Sequence, residues 1–266
     1  MTGPAPAKPE LRLEIEGAIA WIIADNPARM NAFTAAMWKA VPELIAAADG
    51  DPSVRVIVLR GAGTKAFSAG ADISEFESAR TGDGAKDYDR LNHEAFSALM
   101  NSAKPIIAMI HGFCLGGGFG IAACCDLRFA DRKAQFAIPA AKLGLGYNAR
   151  WVGPLLALAA PAFVKELVFT GRRFNVDDAQ RMGLVNGAYE EAELKSRVEA
   201  LVLEIAANAP LTIKAAKLAI DELTRHPETP DLAKLDAAVV TCFESEDYAE
   251  GRRAFLEKRK PEFKGR

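Results

Sequence analysis

The chain has 266 residues, half of them hydrophobic, and a formal net charge of −2. This length allows a full buried core, either as one large domain or as a domain with a small appendage. The near-neutral charge excludes the basic footprint of nucleic-acid binding, and no apolar run approaches the roughly 18 residues that span a bilayer. We therefore expect neither nucleic acid nor a membrane as a partner.

The first ten residues, 1–10, are rich in proline and alanine and lack the apolar core of a signal peptide. We expect them to form a flexible tail. No pair of cysteines has C-x-x-C spacing, and three of the four cysteines lie in an apolar stretch, as is typical of reduced thiols. They are Cys114, Cys124, Cys125 and Cys242. These features predict a cytoplasmic protein.

In the N-terminal part, alternating apolar and charged residues and turn residues predict the first elements. Apolar and charged residues alternate over Leu11–Glu16, and Ile19–Ala24 continues as an apolar run, which predicts a β-hairpin. The Asn26-Pro27 pair predicts a turn. Thr34 is then a candidate N-cap for a helix that runs to Ala48.

The middle of the chain alternates strands and helices. Val54–Leu59 and Pro105–Ile110 are apolar runs typical of buried strands. Between them, Thr81–Ser102 has one polar face and predicts an exposed, mobile helix. A glycine run precedes a short apolar helix over Phe119–Cys125. This order places the chain in the α/β class.

The C-terminal part changes character. Helical periodicity appears over Val198–Asn208 and Leu211–Leu223, and the later segments are charged and helical. We predict a core over residues 11–189 and a helical region over residues 190–266. A helical appendage with an apolar stripe packs on the core or on a neighbouring subunit.

Several catalytic motifs are missing or weak. The loop Gly61–Ala66 fits G-x-G-x-x-A but is followed by Phe67–Gly70, where a dinucleotide site needs the start of a long helix. A nicotinamide-dependent oxidoreductase is therefore a remote alternative. No G-x-S-x-G elbow occurs, and the spacing of the histidines suits no metal site. We expect no metal and no bound cofactor.

Two glycine-rich segments carry the most information. Ser68–Ile73 is a small-residue loop after a strand, and His111–Gly118 leads from a strand into a helix. Two such elements can each direct one backbone N–H at a shared point, and glycine permits the close approach of a bound carbonyl. The same pattern also fits two tight turns with glycines that pack against helices. His111, at the strand end, is interpreted as a structural residue.

Together with these segments, further motifs stand in a characteristic order along nearly the whole chain. They are Asn26-Pro27, Asn31-Ala32, Lys104-Pro105, Cys125-Asp126, Phe136–Pro139, Phe169–Arg172, Met182–Leu184 and Phe255–Pro261. In this set the chain resembles the enoyl-CoA hydratase/isomerase (crotonase) superfamily. The resemblance implies a spiral of ββα units followed by C-terminal trimerisation helices, in a homotrimer or a dimer of trimers.

The resemblance also implies an activity and a site. Family members bind an acyl-CoA thioester and stabilise its enolate in a backbone oxyanion hole, whose donors by motif position are the N–H groups of Ala71 and Gly117. Acyl-CoA is thus the expected small-molecule partner. The positions that match CoA contacts, two of them often supplied by a neighbouring subunit, are Ala28, Arg29, Met30, Ala69, Asp72, Ile73, Ala140, Phe255 and Lys258.

The chain departs from the family where hydration chemistry is performed. Hydratases use two glutamates as acid and base, and Gly120 and Ala140 stand at those positions. Asn148 replaces an aspartate found in other relatives; an amide cannot accept a proton but can orient water or polarise a carbonyl. Tyr147 beside it can donate a hydrogen bond, although its ordinary pKa near 10 makes it a poor base. Tyr147 and Trp151 also fit simple packing around the pocket.

Other titratable groups near the two segments are Glu75, Glu77, His93 and Cys114. Two functions follow from an intact oxyanion hole without the usual glutamates. The first is an acyl-CoA enzyme whose acid and base are other groups, or the substrate itself, and whose reaction is hydration, isomerisation, decarboxylation or thioester cleavage. The second is a non-catalytic acyl-CoA binding or carrier protein.

Overall fold

The computed structural model describes residues 8–72, 75 and 83–266. Most of the predicted tail, residues 1–7, lies outside them. The strands are β1 (Glu10–Glu16), β2 (Ile19–Asp25), β3 (Val56–Gly61), β4 (Ala66–Ser68), β5 (Ile106–Ile110), β6 (Phe113–Leu115), β7 (Leu127–Asp131), β8 (Gln135–Ala137), β9 (Phe174–Asn175) and β10 (Gly187–Tyr189).

The α-helices are α1 (Ala35–Gly50), α2 (Asp83–Asn101), α3 (Gly117–Ala123), α4 (Ala149–Leu158), α5 (Pro161–Thr170), α6 (Val176–Arg181), α7 (Glu191–Ala206), α8 (Pro210–Arg225), α9 (Leu232–Phe243) and α10 (Glu246–Glu257). Two short 3₁₀ turns occupy Pro27–Arg29 and Pro139–Leu143.

From β3 to β8, successive strands of the chain alternate between two sheets. The larger sheet has the order β1-β2-β3-β5-β7-β10, and the smaller one has the order β4-β6-β8-β9. In the pairs β3–β4, β5–β6 and β7–β8, the first strand joins the larger sheet and the second joins the smaller one. The chain therefore advances by one strand in each sheet with every unit, which produces a spiral.

The larger sheet is covered on both faces, which explains the continuous apolar runs of its central strands. In β3, Val56 and Val58 pack with residues of α7, while Ile57 and Leu59 belong to the main core with α1. The predicted strands at 54–59 and 105–110 are confirmed in position. The predicted hairpin is confirmed as well, since β1 and β2 pair in antiparallel register from Glu10–Asp25 to Glu16–Ile19.

Helix α1 begins as its sequence predicts. The hydroxyl of Thr34 accepts a hydrogen bond from the backbone N–H of Met37 at 3.3 Å, which satisfies one of the free donors of the first turn. The residues at helical spacing on its inner face are buried: Met37, Trp38, Val41, Ile45 and Ala48. This face brings the Trp38 ring to the centre of the molecule.

Helix α2 is more firmly packed than its polar sequence suggests. Tyr88, Phe96 and Leu99 are at most 2% exposed, and α2 runs against α1. The predicted exposure of this helix is therefore wrong for its inner face, because apolar residues at helical spacing alternate with charges on the outer face. Its mobility stays a prediction. The predicted helix at 119–125 begins two residues earlier, at Gly117.

The predicted helical region, residues 190–266, contains α7, α8, α9 and α10. Its first helix, α7, packs on the larger sheet through Leu194, Val198 and Val202. The later helices leave large apolar side chains exposed on one chain, among them Ile220 at 66% and Phe243 at 60%. None of the helices in the described ranges is long and apolar enough to cross a membrane.

Candidate active site

The loop after β4 is held in an extended conformation by a single bridge to Phe33. The N–H of Phe33 donates to the carbonyl of Gly70 at 2.7 Å, and the N–H of Asp72 donates to the carbonyl of Phe33 at 2.9 Å. In an extended chain the intervening N–H points to the opposite side. The N–H of Ala71 therefore faces away from Phe33, and it has no acceptor among the described residues.

The second segment runs from β6 into α3. The N–H of Gly116 donates to the carbonyl of Ala137 at 2.8 Å, which continues the parallel pairing of β6 with β8. Gly116 then adopts φ 52°, and the chain turns directly into the helix at Gly117. The first N–H groups of a helix have no partner within it. The N–H of Gly117, at the first position of α3, thus has no acceptor within the helix.

These two N–H groups lie close together because Gly70 lets the segments approach. Gly70 has φ 98°, and a Cβ on it would lie 2.9 Å from the carbonyl oxygen of Leu115 and 3.0 Å from the nitrogen of Gly117. No other residue type combines this backbone angle with this approach. A Cβ on Gly117 would in turn lie 3.6 Å from the nitrogen of Ala71. Both nitrogens therefore border the same small space.

That space opens into a cavity of about 120 Å³. Its wall includes both glycine-rich segments, the 3₁₀ turn with Pro139 and Ala140, and the loop that carries Leu145, Tyr147 and Asn148. One charged side chain, that of Asp89 on α2, also lines the cavity. The wall is otherwise mainly apolar, with a few polar groups, as is usual for small-molecule sites.

Aromatic rings from three helices meet at one side of the cavity. The centroid of the Trp151 ring lies 4.7 Å from that of Phe96, 6.4 Å from that of Trp38 and 5.6 Å from that of Tyr147. Trp38 also lies under Gly117, since a Cβ on that glycine would come within 3.1 Å of the ring. Trp151 and Tyr147 line the cavity, and the buried rings of Trp38 and Phe96 pack behind Trp151.

Two of these rings surround Gly120, the position that the family resemblance predicts to match one hydratase glutamate. A Cβ on Gly120 would lie 2.8 Å from the ring of Phe96 and 3.1 Å from the ring of Trp151. The position therefore has no room for a side chain. Ala140, which is predicted to match the other glutamate position, is 5% exposed and lines the cavity.

Tyr147 and Asn148 are placed differently although they are neighbours. The amide oxygen of Asn148 accepts a hydrogen bond from the N–H of Arg150 at 3.0 Å and caps α4. The hydroxyl of Tyr147 is buried and has no hydrogen-bond partner within the described ranges. Burial raises the pKa of this phenol, which makes its anion harder to form. Tyr147 is thus unsuited to act as a base.

The segment predicted to follow CoA adjoins the loop of Ala71. The N–H of Ala69 donates to the carbonyl of Met30 at 2.9 Å, which joins the 3₁₀ turn at Pro27–Arg29 to the loop. Ala28 and Arg29 are exposed, whereas Asp72 is 7% exposed. Ile73, another predicted CoA contact, lies outside the described residues, as does Glu77.

The two predicted C-terminal contacts do not line the cavity of their own chain. Phe255 is 83% exposed, and Lys258 ends α10 with φ 54°. Neither belongs to the described cavity wall. A role for these residues at the site requires a neighbouring subunit.

The remaining titratable groups have other surroundings. Glu75 accepts the N–H of Ala35 at 2.7 Å, at the start of α1. His111 lies beside the buried Asp131, with 3.4 Å between Nδ1 and the carboxylate, in keeping with a structural residue. Burial raises the pKa of the Cys114 thiol and disfavours the reactive thiolate. His93, on α2, lies 3.5 Å from the hydroxyl of Ser97.

The loop over residues 61–66 connects two strands. It leaves β3 and enters β4, so no helix follows it. A dinucleotide site requires a helix N-terminus at this point, and the fold therefore speaks against the nicotinamide alternative. Within the described ranges, no group of three His, Cys, Asp or Glu side chains could hold a metal ion.

The sequence model of the enoyl-CoA hydratase/isomerase family matches residues 14–266. The chain belongs to this family. Its spiral of paired strands and its C-terminal helices are the crotonase fold, as the crystal structure of an enoyl-CoA hydratase/carnithine racemase from Magnetospirillum magneticum shows. The TM-score is 0.92, at 36% identity and with 96% of each chain covered.

Similar family members carry names of hydro-lyases. The chain is 36% identical over 255 residues to a short-chain-enoyl-CoA hydratase of Clostridium acetobutylicum, covering 96% of this chain and 97% of the relative. It is 34% identical over 260 residues to a carnitinyl-CoA dehydratase of Escherichia coli, covering 96% and 98%. An enoyl-CoA hydratase/isomerase family protein of Hyphomonas neptunium has a TM-score of 0.92 at 38% identity, covering 96% and 98%.

Sequence reasoning missed Trp38, Phe96 and Asp89. The two aromatic residues fit the apolar stripes of their helices, which predict burial but not proximity to the cavity. Asp89 follows buried Tyr88 and therefore flanks the inner face of α2. The helical period predicts the position of Asp89 on α2, but it does not predict the cavity beside it.

Proposed function

We propose that this chain binds an acyl-CoA thioester with its carbonyl oxygen between the N–H groups of Ala71 and Gly117, and that it stabilises the enolate of that thioester. The observation that carries the proposal is the pair of free N–H groups bordering one cavity. When the α-carbon loses a proton, negative charge develops on the thioester oxygen. Fixed donors at that oxygen stabilise the charge without reorganisation.

The acyl group is proposed to lie against the aromatic wall of Trp151 and the exposed apolar side chains of Leu143 and Leu145. All three line the cavity. The wall favours an apolar acyl chain. The CoA part is proposed to follow the exposed residues Ala28 and Arg29 beside Ala69, with Phe255 and Lys258 supplied by a neighbouring subunit.

We further propose that the reaction is not hydration by two carboxylates. Such hydration needs one group to activate water and another to protonate carbon. At Gly120 the space is filled by Phe96 and Trp151, and at Ala140 only a methyl group lines the cavity. From the hydro-lyase names of the relatives we therefore infer for this chain only the chemistry of acyl-CoA enolates. We do not infer the specific reaction of those relatives.

A homotrimer, or a dimer of trimers, is the proposed assembly. Exposed apolar side chains on the last three helices support it, including Phe255 at 83% and Leu256 at 80%. Large apolar side chains exposed in this number on one region favour an interaction surface. The free thiols Cys114, Cys124 and Cys125 are buried, which is compatible with the proposed cytoplasmic location.

The second candidate is an acyl-CoA binding protein without catalysis. The missing carboxylates at Gly120 and Ala140 favour it. The two functions differ in one measurable respect, because only an enolate-forming enzyme exchanges the α-protons of a saturated acyl-CoA with solvent deuterium. A binder would retain the ligand and leave its α-protons in place.

The test compares Gly117→Pro with Gly117→Ala. Both variants add a Cβ against Trp38, but only proline removes the N–H, and proline is tolerated at the first position of a helix. We expect Gly117→Pro to exchange the α-protons of butyryl-CoA about 10²–10³ times more slowly than Gly117→Ala. Equal rates in the two folded variants would contradict the oxyanion hole.

A further inference from the structure

Asp89 is the charged residue of the described cavity wall. Asp89 lines the same cavity as Ala71 and Gly117. No other residue of the described cavity wall carries a carboxylate, imidazole, amine or thiol. The wall offers only the phenol of Tyr147 besides, whose pKa is raised by burial. Asp89 is therefore the group on this wall suited to accept a proton from carbon.

Helix α2, which carries Asp89, is hydrogen-bonded to Trp38 beside Gly117. Its neighbour Tyr88 is 2% exposed and accepts a hydrogen bond from the indole N–H of Trp38 at 2.8 Å. The Trp38 ring lies under Gly117. Asn92, one turn further along α2, donates to the carbonyl of Tyr88 at 2.5 Å. Through its neighbour Tyr88, Asp89 is thus linked to Trp38, the side chain that packs against Gly117.

The described ion pairs within α2 do not include Asp89. Arg90 lies 2.8 Å from the carboxylate of Glu94 and 3.7 Å from that of Asp87. Among the described residues, no cation lies within ion-pair distance of Asp89. Within the described ranges its carboxylate therefore forms no salt bridge, and Asp89 lines the cavity as an exposed residue. A cation at this carboxylate would have weakened it as a base.

We infer that Asp89 is the catalytic base of this chain and that its reaction is a proton shift within the acyl group. The inference rests on the proposed enolate function and adds its missing acid–base group. The thioester carbonyl between Ala71 and Gly117 places the α-carbon in the space that Asp89 borders. A carboxylate in that position is a suitable general base.

The step balances without another reactant. The bond between the α-carbon and its hydrogen breaks, and the proton binds to a carboxylate oxygen of Asp89. The electron pair of that bond forms the carbon–carbon double bond of the enolate, and the carbonyl π pair moves to the oxygen held by the two N–H groups. In a β,γ-unsaturated acyl-CoA, the proton then returns to the γ-carbon and the double bond ends between the α- and β-carbons.

A single carboxylate and an apolar wall suit this reaction better than hydration. The same proton is taken and returned, so no second acid is needed, and no water molecule has to be activated beside Trp151 and Leu145. The substrate class that follows is a β,γ-enoyl-CoA thioester with an apolar acyl chain. With a saturated acyl-CoA, the same residue would only exchange the α-protons with solvent.

The experiment compares Asp89→Asn with Asp87→Asn. Both replace an aspartate on α2 by its isosteric amide, but Asp87 does not line the cavity and its side chain is 75% exposed. Three readouts are needed for each full-length variant. They are α-proton exchange of butyryl-CoA in deuterium oxide, isomerisation of 3-hexenoyl-CoA followed by the absorbance of the conjugated thioester, and affinity for butyryl-CoA by calorimetry.

We expect Asp89→Asn to lower exchange and isomerisation by about 10²–10⁴-fold, with affinity unchanged and with partial rescue in Asp89→Glu. Asp87→Asn should match the native chain. Native rates in Asp89→Asn would overturn the role of Asp89 while leaving the enolate function in place. Weaker affinity with native exchange at saturating ligand would also overturn it. No exchange by the native chain, despite tight binding, would overturn the enolate function itself.

Discussion

Trp38 and Tyr88 join two helices across the centre of the site. The indole N–H of Trp38 donates to the hydroxyl of Tyr88 at 2.8 Å, and the two residues are 0% and 2% exposed. The Trp38 ring supports Gly117, and Tyr88 precedes Asp89. This one hydrogen bond therefore links the support of an N–H donor to the helix that carries the proposed base.

Loss of this bond should affect stability and activity together. Replacing Tyr88 by phenylalanine leaves a buried indole N–H without this acceptor, at a cost of about 1–3 kcal/mol in the free energy of unfolding. We also expect slower α-proton exchange with unchanged acyl-CoA affinity, because α2 can then shift against Gly117. Urea denaturation and deuterium exchange measure the two effects. Tyr248→Phe is the control, since that ring is 44% exposed.

A glutamate at position 120 should not restore a hydratase. The Cβ of that glutamate would already lie 2.8 Å from the ring of Phe96 and 3.1 Å from the ring of Trp151. Overpacking of a close-packed core costs about 1–3 kcal/mol, and a buried unpaired carboxylate adds to that cost. We expect Gly120→Glu to be strongly destabilised and to hydrate no crotonyl-CoA.

The same change should be better tolerated when Trp151 is also replaced by alanine. Residues in contact show coupling energies of about 0.5–3 kcal/mol in double-mutant cycles. The cycle of Gly120→Glu and Trp151→Ala should therefore give a favourable coupling of this size in thermal or urea unfolding. Additive effects of the two changes would show that Trp151 does not fill the position.

Arg128 should be essential for the fold behind the site. Its side chain is buried and donates to the carbonyls of Leu184 at 2.9 Å and Cys125 at 2.6 Å, just beyond the end of α3. Arg128→Met leaves these carbonyls unpaired and should cost about 2–4 kcal/mol of unfolding free energy. Arg132→Met should stay within about 0.5 kcal/mol, because Arg132 is half exposed and its ion pairs are 3.6 and 3.7 Å long.

The four cysteines should differ in reactivity. Burial raises the pKa of Cys114 and Cys124, and it raises the pKa of Cys125 to about 12. A raised pKa lowers the thiolate fraction at a given pH, and only the thiolate reacts with alkylating reagents. In the native protein at pH 8, Cys242, which is partly exposed, should therefore be labelled first. Mass spectrometry of peptides after brief iodoacetamide treatment identifies the site; equal labelling of Cys114 would contradict the prediction.

Local patterns were sufficient for much of the fold. The alternation in β1 and the apolar run in β2 predicted their pairing, and Thr34 marked the start of α1 because a side-chain cap is a local interaction. Helix α2 was the exception. Its polar composition suggested exposure, but charges on one face say little about an inner face that packs on another helix.

The sequence by itself determined the family and the two glycine-rich segments with Ala71 and Gly117, since both are properties of residue identity and spacing. The replacement of family glutamates at positions 120 and 140 stays a prediction. The tertiary structure decided what surrounds them. The bridge from Phe33 turns the N–H of Ala71 toward the cavity, Phe96 and Trp151 fill the space at Gly120, and Asp89 borders the same cavity. These contacts join residues far apart in the chain, so only the packing of helices on the spiral brings them together.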